Sequence, residues 1–359
     1  MKTIFFTLSI FASIVCTSLS QTNDTQNQTM KKTNSSDQID PIDFSADPRL
    51  NIEVKEFLKI LNSGPPPETL PVEEARNGLV KAQASVDVDL SGIEVTEKTI
   101  TADGYTIKLN IVRPEGVKEK LPVFIFIHGG GWVLGDFPTH KRMVRDLVVL
   151  SGCASVFVNY TPSPEAKYPQ AINEIYAATK WVAENGDEIN VDGKNLAICG
   201  NSVGGNMSTV ISLMAKSKGG PQIKLQILMW PLVNADFETG SYKEFGKQRF
   251  LTKSLMRWMY DNYTTDPEER KEIYASPLLA RVDQLRGLPP ALIQVIENDI
   301  LRDEGEAYGR KLDEAGVKVI STRYNGVIHD FGLLNGLAEL PSTKSLFIQA
   351  AEELKKYLK

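Results

Sequence analysis

The segment that decides the fold is Leu196-Ala197-Ile198-Cys199-Gly200-Asn201-Ser202-Val203-Gly204-Gly205-Asn206-Met207. It joins an apolar run, short enough for a buried strand, to a stretch that favours a helix, with Gly-x-Ser-x-Gly between them. This arrangement is typical of a sharp strand-to-helix turn that exposes a serine hydroxyl in a strained conformation. Such a turn needs residues without side chains two positions before and after the serine, and Gly200 and Gly204 meet that need. The alternative is a loop that matches the pattern by chance. Motifs elsewhere in the chain are needed to distinguish the two interpretations.

The composition is that of an ordinary globular protein. Of the 359 residues, 42% are hydrophobic and 24% are charged, which allows a sizeable core in one large domain or two ordinary ones. The net charge of −5, without a run of basic residues, argues against nucleic acid as a partner. The three histidines show no metal-ligand spacing, so we expect neither a metal nor another cofactor.

The N-terminal residues differ from the rest of the chain. Lys2, the apolar residues 4–15 and the small residues after them have the order of a secretory signal peptide, which we expect to span residues 1–20. The apolar segment is too short for a stable membrane span. A lipid anchor at Cys16 is the alternative, although the residues before this cysteine resemble a lipoprotein signal poorly. We therefore predict a secreted or periplasmic protein in which residues 21–40 form a disordered polar tether.

Strand-like runs recur along the remainder of the chain. Residues 93–100 and 105–112 alternate around Asp103-Gly104, which predicts a hairpin. Later runs are apolar throughout, as in strands buried on both faces, and helix-like segments separate them. The predicted later strands are residues 123–127, 154–158, 196–199, 223–229, 291–296 and 318–324. Residues 326–331 are predicted to form a loop. This order predicts an α/β fold with a mostly parallel central sheet flanked by helices.

Two further regions have helical character. Residues 43–85 carry apolar stripes at helical spacing, and the residues between Pro231 and Pro277 interrupt the strand pattern. An insertion that follows the carboxyl end of a strand lies where ligand-binding loops belong. We therefore expect the two regions to form a helical cap over that edge of the sheet.

The candidate catalytic residues follow from the chemistry of serine. A serine hydroxyl needs a base to become a nucleophile, and the base needs a group that orients it. In proteins with this strand-to-helix turn the chain order is serine, acid, histidine, and only His329 follows Ser202. Asp299 comes shortly after the fifth buried run and is the candidate acid. Asp303 and Glu304 would fall in the first turn of the next helix, where the helix dipole favours acids.

A glycine-rich loop follows the first buried strand. His128-Gly129-Gly130-Gly131-Trp132 matches the type of loop whose backbone N–H groups bind the oxyanion of a tetrahedral intermediate. Glycines let these N–H groups face a substrate without a Cβ in the way. Alone, the glycines suit an ordinary turn or a phosphate loop equally well, but their place two strand–helix units before Ser202 favours an oxyanion loop. His128 is then a structural residue, and the N–H of Val203 is a further candidate donor.

From about Asp43 to its end, the chain resembles the hormone-sensitive-lipase-like branch of the α/β-hydrolases, which are esterases with an HGGG loop and a helical cap. Besides the two glycine motifs, the resemblance rests on Tyr160 and on the segments 299–305 and 329–331. Two positions next to the serine depart from the family pattern. Asn201 stands where Asp is usual, and Val203 stands where Ala is usual.

The resemblance implies an α/β-hydrolase fold and a role for each candidate residue. The implied nucleophile is Ser202, the base is His329, the orienting acid is Asp299, and the oxyanion donors are the N–H groups of Gly130, Gly131 and Val203. Together with the N-terminal analysis, the expected organisation is a signal peptide (1–20), a tether (21–40), N-terminal cap helices (41–90), a first core part (91–234), a cap insertion (235–275) and a second core part (276–359).

The function that this resemblance implies is that of a serine carboxylesterase. Its substrates would be short- to medium-chain or aryl esters, cleaved through an acyl-enzyme on Ser202, and its expected partner is a small-molecule ester. Two enzymatic alternatives use the same residues: an exported deacetylase of sugars or polysaccharides, and an amidase. A more distant alternative is a non-catalytic ligand receptor on the same fold.

Overall fold

The computed structural model describes residues 42–359. The predicted signal peptide (residues 1–20) and the predicted tether (residues 21–40) lie outside the described residues, so export and the lipid-anchor alternative stay predictions. Among the described residues, none of the helices combines the length and apolar character that crossing a membrane requires.

Within residues 42–359, eight strands build the central sheet. The first two pair as an antiparallel hairpin around Asp103-Gly104, as predicted. The first is mostly exposed or half-buried, whereas the second is mostly buried from Leu109 onwards. Most residues of the later strands, except the last one at the edge of the sheet, are buried, because helices cover both faces of the sheet. The strands of the described residues are β1 (Ile93–Ala102), β2 (Tyr105–Pro114), β3 (Leu121–Ile127), β4 (Ala154–Asn159), β5 (Val191–Asn201), β6 (Gln226–Met229), β7 (Ala291–Asn298) and β8 (Val319–Ile328).

The order of the strands explains where a site can form. They lie in the order β1-β2-β4-β3-β5-β6-β7-β8. The pairs β1–β2 and β2–β4 are antiparallel, and every other pair is parallel. This confirms the predicted mostly parallel sheet. The carboxyl ends of β3 to β8 therefore meet at one edge, here called the carboxyl edge, where such folds bind their ligands.

Helices cover both faces of this sheet. The helices of the described residues are α1 (Ile52–Leu61), α2 (Val72–Ala84), α3 (Phe137–Ser151), α4 (Gln170–Asn185), α5 (Val203–Lys218), α6 (Gly240–Phe245), α7 (Lys253–Tyr263), α8 (Val282–Leu285), α9 (Arg302–Glu314) and α10 (Pro341–Leu358). The apolar sides of α4, α5 and α9 pack on one face of the sheet, and those of α3 and α10 pack on the other.

Three predictions about strand ends are wrong. The strand predicted at residues 196–199 begins at Val191 and ends at Asn201. The strand predicted at residues 223–229 begins only at Gln226, because its neighbour β7 is preceded by Pro289 and Pro290, which have no N–H to extend the ladder. The loop predicted at residues 326–331 is strand as far as Ile328. Its residues 327 and 328 are fully buried, and Ile328 pairs with β7, so burial outweighs the turn signal of the glycine at 326.

The two helical regions predicted as a cap touch each other. A short 3₁₀ helix, Pro67–Thr69, packs against α7 of the insertion. The hydroxyl of Ser254 on α7 also donates a hydrogen bond to Glu68 at 2.6 Å. α1 packs against β8, and α2 packs against α3. The exact domain boundaries given above stay predictions.

Candidate active site

The turn between β5 and α5 has the strained geometry that its sequence predicts. Ser202 lies between strand and helix with φ +54° and ψ −121°, a conformation that residues with side chains rarely adopt. A Cβ on Gly204 would lie 2.0 Å from the carbonyl oxygen of Ile127, and one on Gly200 would lie 2.3 Å from that of Gly204. Glycine is therefore required at both positions, because the strand and the helix approach each other too closely for any side chain.

The structure brings Ser202, His329 and Asp299 together. The Oγ atom of Ser202 lies 3.1 Å from His329 Nε2, and His329 Nδ1 lies 2.7 Å from Asp299 Oδ2. Each of the three residues is only 2% exposed. They follow β5, β8 and β7 respectively, so the parallel arrangement of these strands delivers all three to the carboxyl edge. A serine, a histidine and an acid in this geometry can activate the hydroxyl for nucleophilic attack.

Asp299 is held in place by a backbone hydrogen bond. Its Oδ1 atom accepts a hydrogen bond from the N–H of Leu301 at 3.0 Å, which leaves Oδ2 for His329. Burial acts to lower the pKa of His329, but the negative charges of Asp299 and Asp330, together with the hydrogen bond to Asp299, raise it above its ordinary value. The acids around His329 thus make this candidate base more basic.

The glycine loop lies beside the serine turn because β3 and β5 are paired neighbours. Gly130 and Gly131 have φ values of +103° and +64°, which favour glycine. The N–H of Gly129 donates to Asn201 Oδ1 at 3.0 Å, so the first amide of the loop serves its structure. The N–H of Val203, at the start of α5, is one of the first helical amides, which have no partner within the helix.

One face of α7, which belongs to the insertion, packs against the glycine loop. A Cβ on Gly131 would lie 2.0 Å from the Sδ atom of Met259. One turn further along α7, the ring of Tyr263 stacks on Trp132, with 4.0 Å between ring centroids and an interplanar angle of 5°. The shape of the loop therefore depends on α7.

The other two histidines are structural. The ring of His128 stacks between Tyr160 and Phe157, with centroids 4.2 and 5.4 Å away, and its Nδ1 lies 2.8 Å from the carbonyl oxygen of Gly129. Burial lowers the pKa of His128 to about 4 and holds the pKa of His140 well below its ordinary value. Neither is a base near neutral pH, in agreement with the structural role predicted for His128.

Glu304 has a structural role that its place in a helical first turn does not indicate. It lies in the first turn of α9 as predicted, but it is 1% exposed. Its Oε1 atom accepts hydrogen bonds from the N–H groups of Val233 and Asn234 at 2.7 and 3.1 Å. Burial raises the pKa of its carboxyl well above the usual range. Glu304 therefore anchors the chain where it leaves the sheet after β6.

A buried arginine of the insertion binds the residue that precedes Asp299. Arg249 is 7% exposed and donates to Asn298 Oδ1 at 2.7 Å, one residue before Asp299. It also pairs with Asp47 of the N-terminal region. The next residue, Phe250, has φ +71° and lies nearly parallel to the ring of His329, with 6.4 Å between centroids. No signal in the sequence of the insertion indicates these contacts, because they depend on the path of the chain across the sheet.

Comparison with known proteins places this geometry among hydrolases. A family model described as "alpha/beta hydrolase fold" matches residues 124–333. The chain is 33% identical to carboxylesterase NlhH of Mycobacterium tuberculosis over 262 residues, 72% of this chain and 82% of the relative. Among solved structures, a thermostable esterase from Pseudomonas putida is 59% identical with a TM-score of 0.87, covering 88% of this chain and 99% of its own. An esterase from Rhizomucor miehei is 39% identical with a TM-score of 0.82, covering 86% and 97%.

Proposed function

The chain belongs to the α/β-hydrolase family and hydrolyses carboxylic esters, and we propose that it does so through an acyl-enzyme on Ser202, with short- to medium-chain or aryl esters as substrates. The observation that carries the proposal is the continuous contact from Ser202 Oγ through His329 to Asp299. The N–H groups of Gly130, Gly131 and Val203 are the proposed oxyanion donors.

In the first half of the proposed reaction, Ser202 Oγ attacks the carbonyl carbon of the ester while His329 Nε2 takes its proton. The carbonyl oxygen becomes an oxyanion, which the three backbone N–H groups stabilise. The carbon–oxygen bond to the alcohol then breaks, and His329 gives its proton to the leaving oxygen. The products of this half are the free alcohol and the acyl group on Ser202.

The second half repeats these steps with water. His329 Nε2 takes a proton from a water molecule as its oxygen attacks the acyl carbon, and the same donors hold the new oxyanion. The bond to Ser202 Oγ breaks, His329 returns the proton to that oxygen, and the carboxylic acid leaves. Asp299 keeps Nδ1 protonated throughout, so that Nε2 is free to accept and donate.

The preference for short acyl groups is supported by what surrounds the serine. Ser202 is 2% exposed, Met259 packs on Gly131, and Phe250 lies beside His329. A substrate must therefore enter a site bounded by side chains of the insertion, and a long flexible chain has to displace them.

The proposal predicts a definite dependence on acyl length. Across p-nitrophenyl esters from acetyl to palmitoyl, we expect kcat/KM to be highest for short and medium chains. For palmitoyl it should fall by roughly a hundredfold or more, since misfit of even one methylene costs about 1–3 kcal/mol. Steady-state hydrolysis followed by p-nitrophenol release measures this. A fluorophosphonate probe should at the same time label the peptide that contains Ser202, as mass spectrometry can show.

The same series separates the alternatives. A p-nitroanilide and an acetylated oligosaccharide serve as the amide and deacetylase arms, and higher kcat/KM on either would replace the ester proposal with that activity. Absence of hydrolysis of the short esters, or labelling at a site other than Ser202, would contradict the proposal itself.

The contact between Gly131 and Met259 of the insertion should be sensitive to a single added methyl group. Gly131→Ala places a Cβ at φ +64° and within 2.0 Å of Met259 Sδ, so either the loop or Met259 must move. We expect kcat/KM for p-nitrophenyl acetate to fall by about 10²-fold, the value of one misplaced oxyanion donor.

The double variant Gly131→Ala, Met259→Ala tests the cause. Removal of the Met259 side chain relieves the clash but leaves the backbone strain. We therefore expect Gly131→Ala to lower kcat/KM less in the Met259→Ala background than in the wild-type background. Independent effects of the two substitutions would mean that this contact does not shape the loop.

A further inference from the structure

A second carboxylate lies beside the candidate base. Asp330 is 5% exposed, and its Oδ2 atom lies 3.8 Å from His329 Nε2. Its Oδ1 atom accepts two hydrogen bonds, from Trp230 Nε1 at 2.7 Å and from Asn201 Nδ2 at 3.0 Å. Both partners are neutral groups that can only donate at these atoms. The surroundings of this oxygen therefore suit the ionised form of the carboxyl group.

Asn201 connects this carboxylate to the glycine loop. It is fully buried, its Oδ1 atom accepts the N–H of Gly129 at 3.0 Å, and its Nδ2 donates to Asp330. An amide offers an acceptor at one end and a donor at the other, whereas an ionised aspartate offers only acceptors. Gly129 needs an acceptor here and Asp330 needs a donor. This explains why an amide, and not the aspartate usual in the family, precedes Ser202.

We propose that Asp330 and Asn201 are positioning residues for the reaction: Asp330 places a negative charge that favours protonated His329, and Asn201 preserves that charge while it holds the glycine loop. The inference rests on the proposed function, in which His329 is protonated between the two proton transfers of each half-reaction. Asp299 acts at the Nδ1 end of the ring and Asp330 at the Nε2 end. The imidazolium that forms during the reaction is thus stabilised from both ends.

The charges around His329 determine in which direction its pKa should change when the charge of Asp330 is removed. In the described part of the chain, some groups face His329 directly and others face a residue that contacts it. They are Asp299 after β7, Asp330 after β8, Ser202 before α5, Trp230 after β6, Phe250 and Arg249 of the insertion, and Glu304 of α9. Arg249 is bound to Asn298, and burial favours the neutral form of Glu304. Loss of the Asp330 charge should therefore lower the pKa of His329.

The test is an NMR titration of the histidine rings in wild type and in Asp330→Asn. The amide keeps an oxygen for Trp230 and Asn201, so the hydrogen bonds can remain while the charge is lost. The chain has three histidines. Burial depresses the pKa of the other two, whereas that of His329 is raised, so the signal that titrates at the highest pH is that of His329. We expect its pKa to fall by about one unit in the variant. An unchanged pKa in a folded variant would overturn the inference.

Activity provides the second readout. Because His329 must be neutral to act as a base, the acid limb of the kcat/KM profile should move to lower pH in Asp330→Asn, by the same amount as the titration. The matched control is Asp192→Asn, which removes a half-buried carboxylate at the opposite end of β5 and should leave the limb in place. If the pKa falls but no form hydrolyses esters, the proposed function is wrong. If wild type hydrolyses esters and the limb stays, the inference is wrong.

Asn201→Asp tests the amide directly and does not depend on the folding of the first variant. Two carboxyl groups at hydrogen-bond distance cannot both ionise easily. At low pH the introduced carboxyl group is protonated and can imitate the amide of asparagine, but its ionised form cannot donate to Asp330. The activity of this variant relative to wild type should therefore decline as the pH rises. A ratio that is the same at every pH would contradict the role of Asn201.

Discussion

Replacement of Ser202 by alanine is expected to lower kcat for p-nitrophenyl acetate by about 10⁴- to 10⁶-fold and to leave the protein folded. The Oγ atom is the only part of the side chain removed, and it is the atom that lies 3.1 Å from His329. Without it no acyl-enzyme can form, so what remains is the effect of the oxyanion donors on attack by water. Steady-state kinetics and circular dichroism measure the two outcomes.

The loss should also be non-additive with that of His329. The double variant Ser202→Ala, His329→Ala should be about as slow as either single variant, because the serine and the base act as one unit. Ser212→Ala is the matched control, since Ser212 is a buried serine on α5, the helix that begins just after Ser202, and its hydroxyl donates to the carbonyl of Ser208. Full activity of the Ser202 variant would exclude an acyl-enzyme on Ser202, and an equal loss in the control would show that the loss is not specific to the Ser202 hydroxyl.

The sequence predicts the part of the site that local stereochemistry dictates. A strand that turns at once into a helix requires glycine at 200 and 204, and the structure has less than 2.5 Å of room at either Cβ. A chain with only three histidines leaves one, His329, after the serine. Asp299 follows β7 directly, as its place after an apolar run predicts. Because these residues follow parallel strands of one sheet, the sequence is sufficient to predict that they meet at one edge.

The contacts that tune the site could not be predicted in the same way. Asn201 and Asp330 are 129 positions apart, and Glu304 lies 71 positions from the amide of Val233. Met259 belongs to an insertion whose own pattern shows only that it is helical. Each of these partners is chosen by how loops from different strands pack at the carboxyl edge. Periodicity and turn signals describe single elements, so they contain nothing about such long-range pairs.

Replacement of Asp299 by asparagine is expected to lower kcat by about 10⁴-fold with a smaller change in KM. In the native arrangement the carboxylate accepts from His329 Nδ1, which leaves Nε2 as the acceptor for the Ser202 proton. An amide can present its N–H₂ group to Nδ1 instead, so that the proton sits on Nε2 and the base is blocked. It also removes a charge that raises the pKa of His329. Steady-state kinetics over a range of pH measure both effects.

The matched control for this variant is the neighbouring acid, Asp303→Asn. Asp303 lies four residues later, in the first turn of α9, where it accepts a hydrogen bond from the N–H of Ser241 at 2.8 Å. The same chemical change there removes a charge near the helix start but no contact to His329, so kcat should stay within about threefold of wild type. A large loss at Asp303 with little loss at Asp299 would reassign the acid. Equal losses would indicate that the β7–α9 loop acts through its fold and not through one carboxylate.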